Sequence, residues 1–173
     1  MPRNSAKPAQ RVLAFDPGYE RLGVALVERK LGKDVLIYSS CVRTSPSLPF
    51  HARLHALGAE AEKIIKKFKP TAVAIEKVYF ENNAKTAMQI AEVCGMLSYI
   101  ATTHKTPLFQ YTPLEVKVAT TGYGKSDKRA VAHMVAKLIV LPTKKRLDDE
   151  LDAIAIGLTC LASVREKKIS TRA

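Results

Sequence analysis

Acidic side chains are scarce in this chain, with 16 Asp+Glu against 28 Lys+Arg, so where the acids fall is informative. Asp16 closes the apolar run Arg11-Val-Leu-Ala-Phe15, and Glu76 closes Thr71-Ala-Val-Ala-Ile75. A carboxylate abutting a buried strand is costly to desolvate unless it is paired or binds a metal. The third acidic group is Asp148-Asp149-Glu150-Leu151-Asp152. Asp149 and Asp152, spaced i, i+3, share one face of a helix, whereas Asp148 reads as its N-cap. The plainer alternative is that these acids only complement a helix N-terminus. That suits Asp148, but it suits Asp152 less well, because Ala153-Ile-Ala-Ile156 follows it.

Asp16, Glu76, Asp149 and Asp152 together form an oxygen-rich set on two strand ends and a helix, suited to hard divalent cations. Two metals about 3.5–4 Å apart would activate water and stabilise the leaving oxygen of a phosphodiester. An acidic pocket in a chain of formal charge +12 makes sense when the substrate is a polyanion and metal bridges the like charges.

The elements that must position these acids follow from hydrophobic period and punctuation. Arg11–Phe15 is a buried strand stopped by Asp16-Pro17-Gly18. Gly23–Glu28 and Asp34–Tyr38, with Leu31-Gly32-Lys33 between them, continue it as a three-stranded meander. Beyond Ser45–Pro49, the residues Leu54, Leu57, Ala61, Ile64, Ile65 and Phe68 recur at helical spacing until Pro70. Thr71–Ile75 is the fourth strand. Ala87, Ile90, Ala91, Cys94, Leu97 and Ala101 mark a second helix ending near His104, and Pro107–Tyr111 is the fifth strand. Pro113 suits the first turn of a short helix. Val131, Met134, Val135 and Leu138 mark another, and Leu151, Ala155, Leu158 and Ala162 the last. The order βββαβαβααα predicts one mixed α/β domain over residues 11–164, between a flexible basic arm (1–10) and a frayed basic tail (165–173).

At 173 residues and 47% hydrophobic composition the chain is long and apolar enough to bury a full core. No apolar run approaches the ~18–20 residues that span a bilayer, and MPRNSAKPAQ lacks the apolar stretch of a signal peptide. A soluble, cytoplasmic protein without a membrane partner is expected. The three cysteines, Cys41, Cys94 and Cys160, contain no C-x-x-C pair, which excludes a zinc knuckle and leaves them as small core residues. The charge surplus points to nucleic acid before a membrane surface.

Phe15-Asp-Pro-Gly18, Ile75-Glu-Lys-Val-Tyr79 and Asp149-Glu-Leu-Asp-Ala153 resemble the three acidic motifs of RuvC-type Holliday-junction resolvases. Asn83 with Gln89–Gly95, Tyr111–Lys117, Gly122-Tyr-Gly124, Asp127-Lys128 and Met134-Val135 are similar to that family in order and spacing, from about Arg11 to Ser163. The resemblance implies an RNase H-like fold, a five-stranded mixed sheet flanked by helices, and a Mg²⁺-dependent endonuclease that resolves four-way junctions in DNA recombination and repair. It implies Asp16, Glu76, Asp149 and Asp152 as catalytic metal ligands for two Mg²⁺ per active site, with Mn²⁺ able to substitute. Lys117 and Lys128 match basic residues needed for cleavage, and Tyr79 an aromatic that engages a junction base. The family further implies a homodimer, since two-fold junctions take two symmetric nicks, and cooperation with the bacterial branch-migration helicase complex. Met88 and Met96 are candidate interface residues. The alternatives are an RNase H-like nuclease acting on branched DNA or RNA:DNA hybrid, and a junction-binding protein that does not cut.

The chain departs from the family at Tyr19-Glu-Arg-Leu22, where Glu20 either joins the acidic site or pairs with Arg21. Ala119–Ser126 imitates a P-loop, but a true one follows a strand, and the preceding residues read as helix. A loop presenting Lys125, Lys128 and Arg129 to DNA phosphates is the better reading. His51 and His55 lack a third ligand and read as surface histidines. Lys63, Lys66, Lys67 and Lys69 read as a solvated helix face, whereas Lys144-Lys-Arg146 is placed for phosphate contact.

Overall fold

The computed structural model describes residues 10–78, 84–142 and 145–170. Residues 1–9 of the basic arm, Tyr79, Asn83, Lys144 and the end of the basic tail lie outside these residues. Five strands, β1 (Gln10–Asp16), β2 (Arg21–Lys30), β3 (Lys33–Arg43), β4 (Ala72–Glu76) and β5 (Leu108–Tyr111), form one sheet in the order β3-β2-β1-β4-β5. The expected meander is present: β1 pairs antiparallel with β2, and β2 with β3, while β4 lies parallel to both β1 and β5. The third strand is longer than its apolar core suggested, and the hairpin turn narrows to Leu31-Gly32, both at positive φ. The helices are α1 (Phe50–Phe68), α2 (Ala84–Thr103), α3 (Pro113–Thr121), α4 (Lys128–Leu138) and α5 (Asp148–Ser170). The backbone of α5 stays helical through Ser170, past the point where the sequence pattern places a frayed tail. Among the described residues no helix is long and apolar enough to cross a membrane.

Central position explains the burial of β1. Leu13 and Phe15 face α1 and α2 in one core with Leu22, Val24, Leu57, Ile64, Val93 and Leu97. Val12 and Ala14 face the opposite way, into a core with Ala25, Val27, Ala74 and the Ala153–Ile156 stretch of α5. Alternation along a strand with both faces covered gives the continuous apolar run seen in the sequence. The two faces differ in side-chain size, and Ala14, Ala25 and Ala74 let α5 lie close to the sheet. Midway along the helix a Cβ on Gly157 would meet Val27 Cγ2 at 2.8 Å. This close approach decides where the acidic start of α5 ends up.

Short connections carry their own stop and start signals. α1 closes on Lys69 in the left-handed region, its N–H donating to the Ile65 carbonyl, just before Pro70. α3 opens with Thr112 and Glu115 in a capping box and Pro113 in its first turn. Its C-cap, Gly122, lies inside the P-loop imitation, so Ala119–Thr121 are helical and the motif follows no strand. His51 and His55 are both exposed on α1, as surface histidines should be. Lys63 and Lys66 pair with Glu60 and Glu62 on the same helix, which supports the solvated-face reading. Met96 turns inward against Gly58 and packs on the core, so of the two methionines only Met88 is exposed.

Candidate active site

The parallel pairing of β1 with β4 sets Phe15 opposite Ile75, so Asp16 and Glu76 leave neighbouring strands at the same end of the sheet. Both preceding side chains are fully buried, which carries the carboxylates to the rim of the core. The residue paired with Asp16 on β2 is Gly23. A Cβ there would overlap the Asp149 carbonyl and stand 3.0 Å from the Asp16 Cβ. Only glycine lets the first turn of α5 sit directly beside Asp16, and this brings Asp149 and Asp152 to the two strand ends.

The helix start differs from expectation by one residue. The Leu147 carbonyl accepts from Leu151 N–H, so Leu147 is the N-cap and Asp148 belongs to the first turn. Glu150 turns away from the strand ends: it is buried and accepts a 2.8 Å hydrogen bond from Ser39 Oγ. Arg146 likewise donates to Ser39 Oγ and the Pro142 carbonyl, so it serves the α5 entry rather than reaching outward for phosphate. Glu20 pairs with Arg53 at 3.9 Å and is largely exposed; it joins neither Arg21 nor the acids.

The electrostatics of the site follow from like charges sharing a poorly solvated space. Asp16 is pushed up to about 7, first by burial and then by Asp152, Glu76 and Asp149, with Lys128 opposing. Glu76 is pushed up to about 7 by burial and by Asp152, with Lys128 and Lys117 opposing. Burial also raises Asp152, against the pull of Lys128. Two lysines thus act on the acids from separate helices. Lys128 Nζ lies 3.3 Å from Asp152 Oδ2, and Asp127 caps the helix that Lys128 begins. A cation at a helix N-terminus opposes the dipole, and the neighbouring carboxylates compensate. Lys128 and Arg129 line a cleft of about 270 Å³ with Asp148, Leu151 and Asp152. Lys125 and His133 are exposed, and Lys117 is half-buried on α3.

Three neighbours of the acids were not singled out from the sequence as site residues. Arg21 Nε lies 3.4 Å from Asp149 Oδ2, and Cys41 Sγ is 3.9 Å from the same oxygen. Cys94 Sγ lies 3.8 Å from the Glu76 carbonyl oxygen, and burial with Asp16 and Glu76 pushes its thiol up to about 11. The signal for Arg21 lay in the hairpin register: once β1 and β2 pair, the residues opposite and beyond Asp16 come to the same end.

The donor set is all oxygen and strongly self-repelling, which fits hard cations. Among the described residues no three Asp, Glu, His or Cys side chains already stand together as one metal cluster. Asp149 and Asp152 instead lean on Arg21 and Lys128, which hold two of the acids while the burial of Asp16 and Glu76 leaves a demand for positive charge.

The family model for crossover junction endodeoxyribonuclease RuvC matches residues 12–160, nearly all of the folded chain. The chain belongs to the RuvC family. Its RuvC relative from Leifsonia xyli is 38% identical over 86% of this chain and 72% of that one. The relative from Pelotomaculum thermopropionicum is 35% identical over 85% of this chain and 90% of that one. Thermus thermophilus RuvC, solved in complex with Holliday junction substrate, superposes with a TM-score of 0.84 at 30% identity, covering 91% of this chain and 96% of that one. The fold is therefore RNase H-like, as the motif order implied, and the RuvC-family enzymes are metal-dependent endonucleases of DNA.

Proposed function

We propose that this chain resolves Holliday junctions by paired symmetric nicks, with Asp16, Glu76, Asp149 and Asp152 holding two Mg²⁺ ions, for which Mn²⁺ can substitute. The observation that carries the reading is the pair Asp16 and Glu76, half-buried at the ends of neighbouring strands and each pushed up to about 7 beside the acids of α5. Bound divalent cations supply the neutralising charge and the acidified water that phosphodiester hydrolysis needs. The residues of the chain supply position. Gly23 keeps α5 against β1, while Arg21 and Lys128 hold Asp149 and Asp152 until the cations take over their charge. Lys117, Lys125, Lys128 and Arg129 then meet substrate phosphates, and Tyr79 stacks on a junction base, for which any nucleobase offers a π-face.

Two symmetric cuts call for two copies. A homodimer is supported by the solvent face of α2, where Met88 (61% exposed) and Tyr99 (72% exposed) flank Gly95, whose position has open space around it. Work on recombination and repair intermediates in the cytoplasm, alongside the bacterial branch-migration helicase complex, completes the proposal.

The test is nicking of a synthetic four-way junction in Mg²⁺, beside a linear duplex, a flap and an RNA:DNA hybrid, by the chain and by Asp16→Asn. Symmetric nicks confined to the junction and lost in the variant are expected. Preferential cutting of flap or hybrid would replace the substrate. Tight junction binding with no cut in Mg²⁺ or Mn²⁺ would make the chain a binding protein.

A further inference from the structure

A second polar cavity, of about 350 Å³, opens at the end of the sheet that holds the acids, and it is lined by Glu20, Arg21, Arg43, Thr44, Pro46 and Arg53. Its charge is unusual for a structural crevice. Arg21 and Arg43 are directly paired across β2 and β3, and like charges placed directly opposite each other on a sheet are destabilising. The third guanidinium, Arg53, is 8% exposed. Its Nε donates to Thr44 Oγ1 at 2.9 Å and its Cζ lies 4.9 Å from the centroid of the Tyr19 ring. Its Nη2, however, is buried without a hydrogen-bond partner, and the Glu20 carboxylate stands 3.9 Å away, beyond hydrogen-bond range. An orphaned buried donor of a charged group costs more than a neutral one, so the site is incomplete as it stands.

The frame around it is fixed. Thr44 Oγ1 donates to the Tyr19 carbonyl, Thr44 N–H donates to the Glu20 carbonyl, and Tyr19 packs edge-on against Phe50. The frame therefore holds Arg53 in place, while Arg21 and Arg43 reach the same cavity from exposed positions at the strand ends. Planar forks converging on one space match the oxygens of a phosphate. Arg21 also touches Asp149, which joins this cavity to the acidic site.

We infer that the Arg21–Arg43–Arg53 cavity is a phosphate seat that takes a backbone phosphodiester of the DNA strand entering the acidic site, beside the phosphate that is cut. The inference rests on the resolvase reading and deepens it. Its role is to fix the strand's register: with one neighbouring phosphate seated, the scissile one is placed by the length of a nucleotide. Glu20 is the one acid of the lining; it partly neutralises the guanidiniums in the free protein and turns out toward solvent, where most of it already lies, when phosphate enters.

The test is the salt dependence of junction binding, measured with Ca²⁺ in place of Mg²⁺, for the chain, Arg43→Gln, Arg53→Lys, Glu20→Gln and a far-end control, Lys67→Gln. Arg43→Gln should lower the slope of log K against log salt by about 0.9 without lowering the melting temperature, since it relieves the like-charge pair with Arg21, and Lys67→Gln should leave the slope alone. Arg53→Lys keeps the charge but loses the fork, so the slope should hold while affinity drops several-fold. Glu20→Gln should tighten binding. A full slope in Arg43→Gln, or weaker binding by Glu20→Gln, overturns the phosphate seat while leaving resolvase activity standing, provided the unaltered chain binds and nicks the junction in Mg²⁺. If it does neither, the resolvase reading and the seat both fall.

Discussion

Replacing Asp16 by Asn should stabilise the metal-free protein while abolishing nicking, and the size of the gain follows from the site. Asp16 moves from an ordinary 3.8 to about 7 because burial and three neighbouring carboxylates disfavour its charge. An acid raised on folding keeps its proton in the native state at pH values where the unfolded chain has lost it. The native state then binds more protons than the unfolded state, so stability falls as pH rises from about 4 to about 7 and stays low above that. A shift of about three units corresponds to roughly 4 kcal/mol at full ionisation, and to about half that if the site admits water. For a domain of this size, about 2–4 kcal/mol is a difference of about 4–16 °C in melting temperature. Thermal unfolding in EDTA at pH 4.5, 6 and 8 is the assay. The gap between Asp16→Asn and the unaltered chain should be small at pH 4.5 and should open through pH 7. Mg²⁺ should narrow it by raising the unaltered chain at pH 8. A variant that melts lower at pH 8, or a gap that ignores pH, would refute the claim that Asp16 carries a poorly solvated, unfavourable charge.

Two further outcomes follow from the same geometry. Gly23→Ala forces the start of α5 off β2, so it should destabilise the fold by about 1–3 kcal/mol and depress nicking far more than junction affinity, read from melting curves and single-turnover cleavage. Glu28→Gln weakens the half-buried pair with Arg11, whose Nε and Nη2 both lie 2.7 Å from Glu28 Oε2, at the far end of the same strand. It should cost about 1–2 kcal/mol in urea titrations and leave nicking per folded molecule unchanged.

The strand ends that carry Asp16 and Glu76 were legible because β1 and β4 are buried on both faces, which produces an apolar run that stops abruptly at an acid. Parallel pairing of those two strands was not written in either run, but the antiparallel hairpins turn β3 parallel to β1, the crossover through α1 then returns β4 in the same direction, and this is what brings the two acids together. The start of α5 was harder to read. Asp148 has the chemistry of an N-cap, yet Leu147 holds the position, because the close seating of α5 at Gly23 and Gly157 fixes where the helix begins. Local side-chain preference yields there to packing. Glu20 and Arg21 are neighbours in sequence but point to different partners, since adjacent residues entering a strand face opposite ways. Cys41 and Cys94 read as plain core residues because nothing local reveals which face of β3 or α2 meets the acids.

The order in which the acids are made has its own consequence. Asp16 and Glu76 belong to elements that leave the ribosome early, whereas Asp149 and Asp152 sit on the last helix, and the core on the face that receives α5 stays incomplete until that helix arrives. During synthesis the chain is already basic, and its lysine-rich first helix is complete, before it holds a full set of acids. Its surplus of positive charge therefore precedes the pocket in which the four acids meet. An interrupted chain stopping short of α5 lacks Asp149 and Asp152 and leaves without its partner the apolar surface that Ala153–Ile156 would cover.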